Sequence, residues 1–260
     1  LVIVFASLLY LLAIFKGAGH LFQMFLYVPY EAGVGLTLLI VVLYTSVGGF
    51  VSVVRTDVMQ GLLMLLGSMV IFYFVTRAAG GVTSIATLSA LPDKQFLFEL
   101  NGGIPFAVLL GVSLSGSLKL LADPRQLSRF YALKDDAEVL RGKWIATIGL
   151  AIVLGCLFPV GIYAHLILTD VTDTDLIVPS LVNDASVFPL WATDFLIVSI
   201  LAAAMSSMDS VLLVAASTLY KNIVAPFSPS SRELLWTRTA VIGFSIVAAL
   251  LALNPPGDIV

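Results

Sequence analysis

The stretch "LAAAMSSMDSVLLVAAST", residues 201–218, has the composition of a membrane-spanning helix except near its centre. There Ser206, Ser207, Asp209 and Ser210 stand almost side by side. A carboxylate at the midplane of a bilayer costs at least about 2.5–3.5 kcal/mol on insertion scales, so it must face protein or water. The groups that offset this cost therefore indicate the function of the helix.

The composition of the whole chain indicates a membrane protein. Its 260 residues are 60% hydrophobic and only 11% charged, with a mean hydropathy of +1.07, whereas soluble domains carry roughly 25% charged residues. Lipid-exposed backbone must satisfy its own hydrogen bonds, so we predict an all-α polytopic protein embedded in a lipid bilayer. The sequence contains no zinc-type Cys/His cluster, no Gly-rich phosphate loop and no basic nucleic-acid patch. We therefore expect neither a cofactor nor a nucleic-acid partner.

Seven hydrophobic segments are predicted, and turn-forming residues separate them, such as "VGGF" at 47–50. They cover residues 1–26, 33–50, 54–79, 104–131, 139–168, 190–222 and 233–252. Lys and Arg are concentrated in the stretch 119–143, whereas the loop 169–190 contains Asp but no Lys or Arg. The positive-inside rule therefore places the first stretch in the cytoplasm and the second outside. We expect a multi-pass protein of the plasma membrane, namely the inner membrane of a bacterium.

Three residues with oxygen atoms that could bind a cation lie on one side of the sixth segment. At helical spacing Ala203, Ser206 and Ser207 face the same way, and Asp209 borders them. Hydroxyl and carbonyl oxygens are ligands that a small hard cation prefers to lipid. The alternative is structural, because serines also let helices pack closely and bond their own preceding carbonyls.

The fourth segment is predicted to be broken near the middle of the membrane. Gly111, Ser113, Ser115 and Gly116 interrupt its apolar run with poor helix formers. Secondary transporters build substrate sites from the exposed carbonyls of such broken helices. A kink softened by glycine is the alternative.

Asp57 follows the predicted turn at Gly48 and Gly49 and has two explanations. An acidic residue in the first turn of a helix is ordinary capping and dipole chemistry. The functional explanation depends on the motif in which Asp57 lies.

Three motifs together resemble the sodium:solute symporter family, and most of all its proline/pantothenate branch. They are "YTSVGGFVSVVRTDVMQG" at 44–61, "DPRQLSRFYALKD" at 123–135 and the stretch 201–218. The resemblance implies part of a LeuT-type bundle of two inverted five-helix repeats, with the seven segments aligned to core helices three to nine. Residues 1–260 would then be a single but incomplete transporter domain, a fragment whose partners are the missing transmembrane helices of the same polypeptide. We expect residues 1–260 alone not to transport.

The resemblance also implies roles for individual residues. The sodium ligands on this chain would be the Ala203 carbonyl and the hydroxyls of Ser206 and Ser207, and Asp57 would assist cation release toward the cytoplasm. The interruption at Gly111, Ser113, Ser115 and Gly116 would face the substrate. Asp209 is not among these ligands, and it either lowers the local potential for sodium or carries a proton.

The implied function is sodium-coupled symport of a small organic solute, an amino acid or a carboxylate, by alternating access. Such a protein is not an enzyme, and Na⁺ is its coupling ion. Two alternatives stay open. One is a proton-coupled transporter in which Asp209 or Asp57 titrates, and the other is a transporter-like membrane sensor domain of a signalling protein.

Overall fold

The computed structural model describes residues 2–92, 94–99, 104–168, 177–227 and 233–254. Every regular element in these ranges is helical. The α-helices are α1 (Val2–Leu26), α2 (Tyr30–Ala78), α3 (Ser84–Ser89), α4 (Phe106–Ala122), α5 (Pro124–Tyr131), α6 (Asp136–Ile167), α7 (Ile177–Val182), α8 (Leu190–Leu219) and α9 (Glu233–Leu253). A 3₁₀ turn covers Gln95–Phe98, and a π-helical turn, Tyr220–Val224, extends α8.

The predicted all-α polytopic architecture is confirmed. Six stretches of the described residues are long and apolar enough to cross a membrane, and Tyr30–Ser46 is a shorter apolar helix. The six are Val2–Leu26, Gly48–Ala78, Phe106–Tyr131, Asp136–Ile167, Leu190–Val224 and Glu233–Leu253. These seven stretches coincide with the seven predicted segments. Residues 169–176 of the loop predicted to be external, with three of its four Asp residues, lie outside the described residues, and the predicted orientation stays a prediction.

Helix α2 contains a sharp turn at Gly49. Its 49 residues would extend about 74 Å if straight, more than twice the roughly 30 Å of a hydrocarbon core. At Gly49 the backbone leaves the helical region, with φ 60° and ψ −159°. Residues with a Cβ are strongly disfavoured at these angles. The turn predicted at the glycine pair is therefore confirmed.

The chain divides into two compact units, Leu1–Met64 with Ile197–Val260 and Leu65–Leu196. The prediction of a single transporter domain over residues 1–260 stays a prediction. The core of the first unit is apolar and includes Phe15, Val41, Met208, Leu212 and Ala248, all fully buried. Packing between α1 and α9 forms much of this unit.

Close approach of α1 and α2 holds the first unit together near Tyr30. A Cβ on Gly33 would lie 2.8 Å from the Cβ of Phe22, and one on Gly19 would lie 2.7 Å from the ring of Tyr30. The Tyr30 hydroxyl donates a hydrogen bond of 2.7 Å to the Ala252 carbonyl on α9. These contacts fix the first half of α2 against two neighbouring helices.

The second unit contains the fourth predicted segment, and here one expectation is wrong. The break expected at Gly111, Ser113, Ser115 and Gly116 is absent, since α4 runs without interruption over Phe106–Ala122. Helical backbone bonds continue through these residues, and the Ser117 hydroxyl donates to the Ser113 carbonyl at 2.9 Å.

The helix instead ends just before Pro124. Asp123 has extended backbone angles, φ −68° and ψ 117°, because the ring of a following proline disfavours the helical conformation. Its carboxylate then caps α5 by accepting from the Arg125 backbone N–H at 2.9 Å. The interruption of this span therefore depends on a proline and an N-cap, and the small residues of α4 are accommodated within the helix.

Candidate functional site

The residues predicted to bind a cation lie on consecutive turns of α8. Ala203 precedes Ser206 and Ser207 by three and four positions, so its carbonyl points toward their side of the helix. Ala203, Ser206 and Ser207 are half-buried, whereas Asp209 is completely buried. The Ser210 hydroxyl donates to the Ser206 carbonyl at 3.1 Å. One turn of α8 thus offers several oxygen atoms beside a buried carboxylate.

Asp57 lies directly beside this turn. The Ser206 hydroxyl donates a hydrogen bond of 3.0 Å to Asp57 Oδ1, although 149 positions separate the two residues. A serine hydroxyl that donates its one hydrogen still has lone pairs for another partner. The structure therefore brings two of the predicted site residues together and leaves the Ser206 oxygen able to accept a cation.

The capping explanation of Asp57 is wrong. Its helical segment begins at Gly48, and Asp57 lies about 13 Å further along the axis at 1.5 Å per residue. The field of a helix terminus acts within the first turn only. Asp57 instead accepts a hydrogen bond from Ser206 of α8.

Asp209 is held by two hydroxyls from the first half of α2. The Tyr44 hydroxyl donates to Asp209 Oδ1 at 2.5 Å, and Thr45 Oγ1 donates to the same oxygen at 3.0 Å. Asp57 and Gln60 are further electrostatic neighbours of the Tyr44 hydroxyl. A buried carboxylate is tolerated when such donors replace its hydration.

Tyr44 and Thr45 were not among the residues predicted from the sequence. In the sequence they are the first two residues of the motif at 44–61. A usable signal was present, because two adjacent hydroxyl side chains in an apolar span require polar partners. Which partner they contact depends on how α2 and α8 pack, and local sequence does not specify it.

A cavity of about 570 Å³ lies in the first unit beside these residues. It is lined by Thr45 and Gly49 of α2, by Ser217 and Lys221 of the α8 end, and by Arg238 of α9, among others. Because Thr45 both lines the cavity and donates a hydrogen bond to Asp209, a single side chain connects the cavity with the buried carboxylate.

The residues expected to face the substrate lie in the second unit. Gly111, Ser113, Ser115 and Gly116 belong to α4, in the second unit, and are exposed in this chain. In the described part of the chain, no group of three or more His, Cys, Asp or Glu residues lies together as a metal site. The oxygen atoms described near Ser206 are those of hydroxyls, a backbone carbonyl and the carboxylates of Asp57 and Asp209, and a hard cation prefers oxygen ligands.

Comparison with known proteins identifies the family. The family model described as the sodium:solute symporter family matches residues 1–256. The sodium/pantothenate symporter of Haemophilus influenzae is 26% identical over 253 residues, which cover 95% of this chain and 52% of that protein. The osmoregulated proline transporter OpuE of Bacillus subtilis is 30% identical over 250 residues, 93% of this chain and 50% of that protein. The chain thus spans about half the length of the curated relatives it matches.

A solved structure supports the fold. A Na⁺-coupled sialic acid symporter, in a substrate-bound outward-open state, superposes with a TM-score of 0.79 at 22% identity. The match covers 96% of this chain and 57% of that one. The family match over residues 1–256 establishes that the chain belongs to the sodium:solute symporter family.

Proposed function

We propose that this chain supplies the ion-coupling helices of a transporter that couples Na⁺ entry to uptake of a small organic solute. The observation that carries the proposal is the hydrogen bond from Ser206 to Asp57, made one turn from the buried carboxylate of Asp209. Polar groups this costly inside a membrane span are typical of ion pathways. The relatives named above are symporters or transporters of pantothenate and proline, so we propose an amino acid or a carboxylate as the solute.

The proposed sodium ligands of this chain are the Ala203 carbonyl and the hydroxyls of Ser206 and Ser207. By accepting the hydrogen of Ser206, Asp57 turns the oxygen lone pairs of that hydroxyl away from itself and makes them more negative. A cation that leaves Ser206 also finds a carboxylate within one hydrogen-bond length. Asp57 is thus placed to orient a ligand while the ion is bound and to accept the ion as it departs.

The proposed mechanism is alternating access. Sodium binding from outside neutralises part of the negative charge near Ser206 and favours one arrangement of the surrounding helices, and solute binding and inward release follow. Movement of each charge through the membrane potential supplies about 2.3 kcal/mol per 100 mV. No covalent bond changes in this cycle. For the solute side, we retain Gly111, Ser113, Ser115 and Gly116 as candidate contacts, on an uninterrupted helix.

The test is sodium-dependent uptake in sealed vesicles, with the complete polypeptide that contains residues 1–260. Labelled proline, pantothenate and simple carboxylates are offered under an imposed Na⁺ or K⁺ gradient. We expect uptake to require Na⁺ and to be lost in Ser206→Ala/Ser207→Ala. Ser245→Ala is the matched control, because among the described residues that buried hydroxyl bonds the Val241 carbonyl of its own helix and no other group.

Two results would contradict the proposal. One is sodium-independent uptake driven by a pH gradient, which would favour the proton-coupled alternative and give Asp209 the central role. The other is an unchanged half-saturating Na⁺ concentration in the double variant, which would move the ion site away from Ser206 and Ser207.

A further inference from the structure

Helix α2 is attached to α8 at two places, one on each side of Gly49. Before the turn, Tyr44 and Thr45 donate to Asp209. After the turn, Asp57 accepts from Ser206. On α8 the two contacted residues lie within one helical turn of each other.

This pairing is possible only because the chain turns at Gly49. On a straight helix, residues 45 and 57 would lie about 18 Å apart, whereas residues 206 and 209 are separated by only about 4.5 Å along their axis. Side chains as short as those of threonine, serine and aspartate cannot make up that difference. With the non-helical angles of Gly49, both halves of α2 reach the same turn of α8.

We propose that Tyr44 and Thr45 are positioning residues for the sodium site. They act through Asp209, whose carboxylate they hold, and so fix the α8 turn that presents Ser206 and Ser207 to the ion. This inference rests on the proposed function, and it assigns to two residues of α2 a task in ion binding without direct contact to the ion. Groups that orient a ligand typically change ion affinity roughly 10- to 100-fold when they are removed.

The physical reason lies in the burial of Asp209. Its side chain is completely buried, and both hydroxyls donate to Oδ1. When one donor is lost, the carboxylate keeps only the other hydroxyl of this pair, and since a buried carboxylate is costly without donors, its position on α8 is less firmly fixed. The turn of α8 on which Ser206 and Ser207 lie is then held less firmly against the first half of α2. The ligand geometry for sodium then becomes less favourable.

The experiment measures the half-saturating Na⁺ concentration and the maximal rate of uptake separately, in the complete transporter in vesicles. Thr45→Val removes the hydroxyl and keeps the shape, Tyr44→Phe does the same on the neighbouring residue, and Thr45→Ser restores a donor. Thr37→Val is the matched control, since Thr37 is buried in the same half of α2 and its hydroxyl, in the part of the chain that the structure describes, bonds the Gly33 carbonyl alone, at 2.8 Å.

We expect Thr45→Val and Tyr44→Phe to raise the half-saturating Na⁺ concentration roughly tenfold or more, with the maximal rate at saturating Na⁺ within about twofold of wild type. Thr45→Ser should stay near wild type, and so should Thr37→Val. A purely structural role would instead lower the maximal rate or the yield of protein without changing the sodium dependence.

The inference is overturned if Thr45→Val and Tyr44→Phe bind sodium as wild type does, or if Thr37→Val shifts the sodium dependence equally. If Thr45→Val is not produced in folded form, Tyr44→Phe alone decides, because it retains the ring and its packing. Sodium-independent uptake by the wild type is a separate result, which contradicts the proposed function itself and this inference with it.

Discussion

Substitution of Gly49 by alanine tests the turn on which the site depends. The backbone at Gly49 has φ 60° and ψ −159°, a region that is almost exclusive to glycine and costs other residues about 1–3 kcal/mol. A Cβ at this position would have no neighbouring heavy atom within 4 Å among the described residues. The cost of Gly49→Ala is therefore conformational, without a steric contribution from packing, and we expect a loss of about 1–3 kcal/mol in the free energy of unfolding.

The matched control is Gly61→Ala, in the second half of the same helix. A Cβ on Gly61 also meets no atom within 4 Å, but its backbone is helical. Alanine is favoured over glycine inside a helix by about 0.5–1 kcal/mol, so the same chemical change should stabilise the protein there. The two variants are compared by SDS-induced unfolding of the purified protein in mild detergent, followed by helical circular dichroism.

Opposite signs for the two variants support the reasoning. A Gly49→Ala protein as stable as wild type would show that residue 49 relaxes without cost, so the turn would not depend on glycine. Because both attachments to α8 require the turn, Gly49→Ala should also weaken sodium binding in the transporter. Gly61→Ala should leave sodium binding unchanged.

Two further predictions concern packing and pH. Gly33→Ala should destabilise the protein by about 1–3 kcal/mol, because the new Cβ would lie 2.8 Å from the Cβ of Phe22. Gly35→Ala is the control in the same unfolding assay, and it should be tolerated because a Cβ at residue 35 has open space around it. In the second unit, the hydroxyl and N–H of Ser186 donate to Asp184 at 2.6 and 2.8 Å and hold the pKa of Asp184 below its usual range. The resulting stabilisation is present above the ordinary pKa of about 3.9 and is lost as pH falls through the lowered value. The thermal-unfolding difference between wild type and Ser186→Ala should therefore shrink from pH 6 to pH 3, and a constant difference would contradict this origin.

Much of the fold was predictable from the sequence, because a bilayer leaves few choices for the backbone. Long apolar runs predict helices, and the glycine pair at residues 48–49 predicts the turn between two of them. The expected break at Gly111–Ser117 failed for an identifiable reason. Glycine and serine are weak helix formers on average, but α4 keeps its backbone bonds, and serine side chains bond to carbonyls of the preceding turn. Composition alone does not separate this outcome from a break.

The site was predictable only in part. The polar residues on α8 were identified because carboxylates and hydroxyls are rare at the centre of an apolar helix. Their partners were not identifiable, since Asp57 lies 149 positions from Ser206 and Tyr44 lies 165 positions from Asp209. Such pairings depend on how helices pack, and without covariation a single sequence carries no record of them.

The register of the three helical segments explains how these distant residues meet. Thr45 precedes Gly49 by four residues and Asp57 follows it by eight, so the two lie about 6 Å and 12 Å from the turn along their axes. The difference, about 6 Å, is close to the roughly 4.5 Å that separates Ser206 from Asp209 on α8. The contacts of Asp57 with Ser206 and of Thr45 with Asp209 therefore fit a hairpin that runs alongside α8, with Asp209 nearer the turn.

The cavity lined by Thr45, Gly49 and Lys221 lies at the same end of α8 as the turn. On the proposed function, we expect a sodium ion that leaves Ser206 toward this predicted cytoplasmic end to move from Asp57 toward the level of Asp209 and the hydroxyls that hold it. We therefore expect those hydroxyls to influence both how tightly the ion binds and how readily it departs.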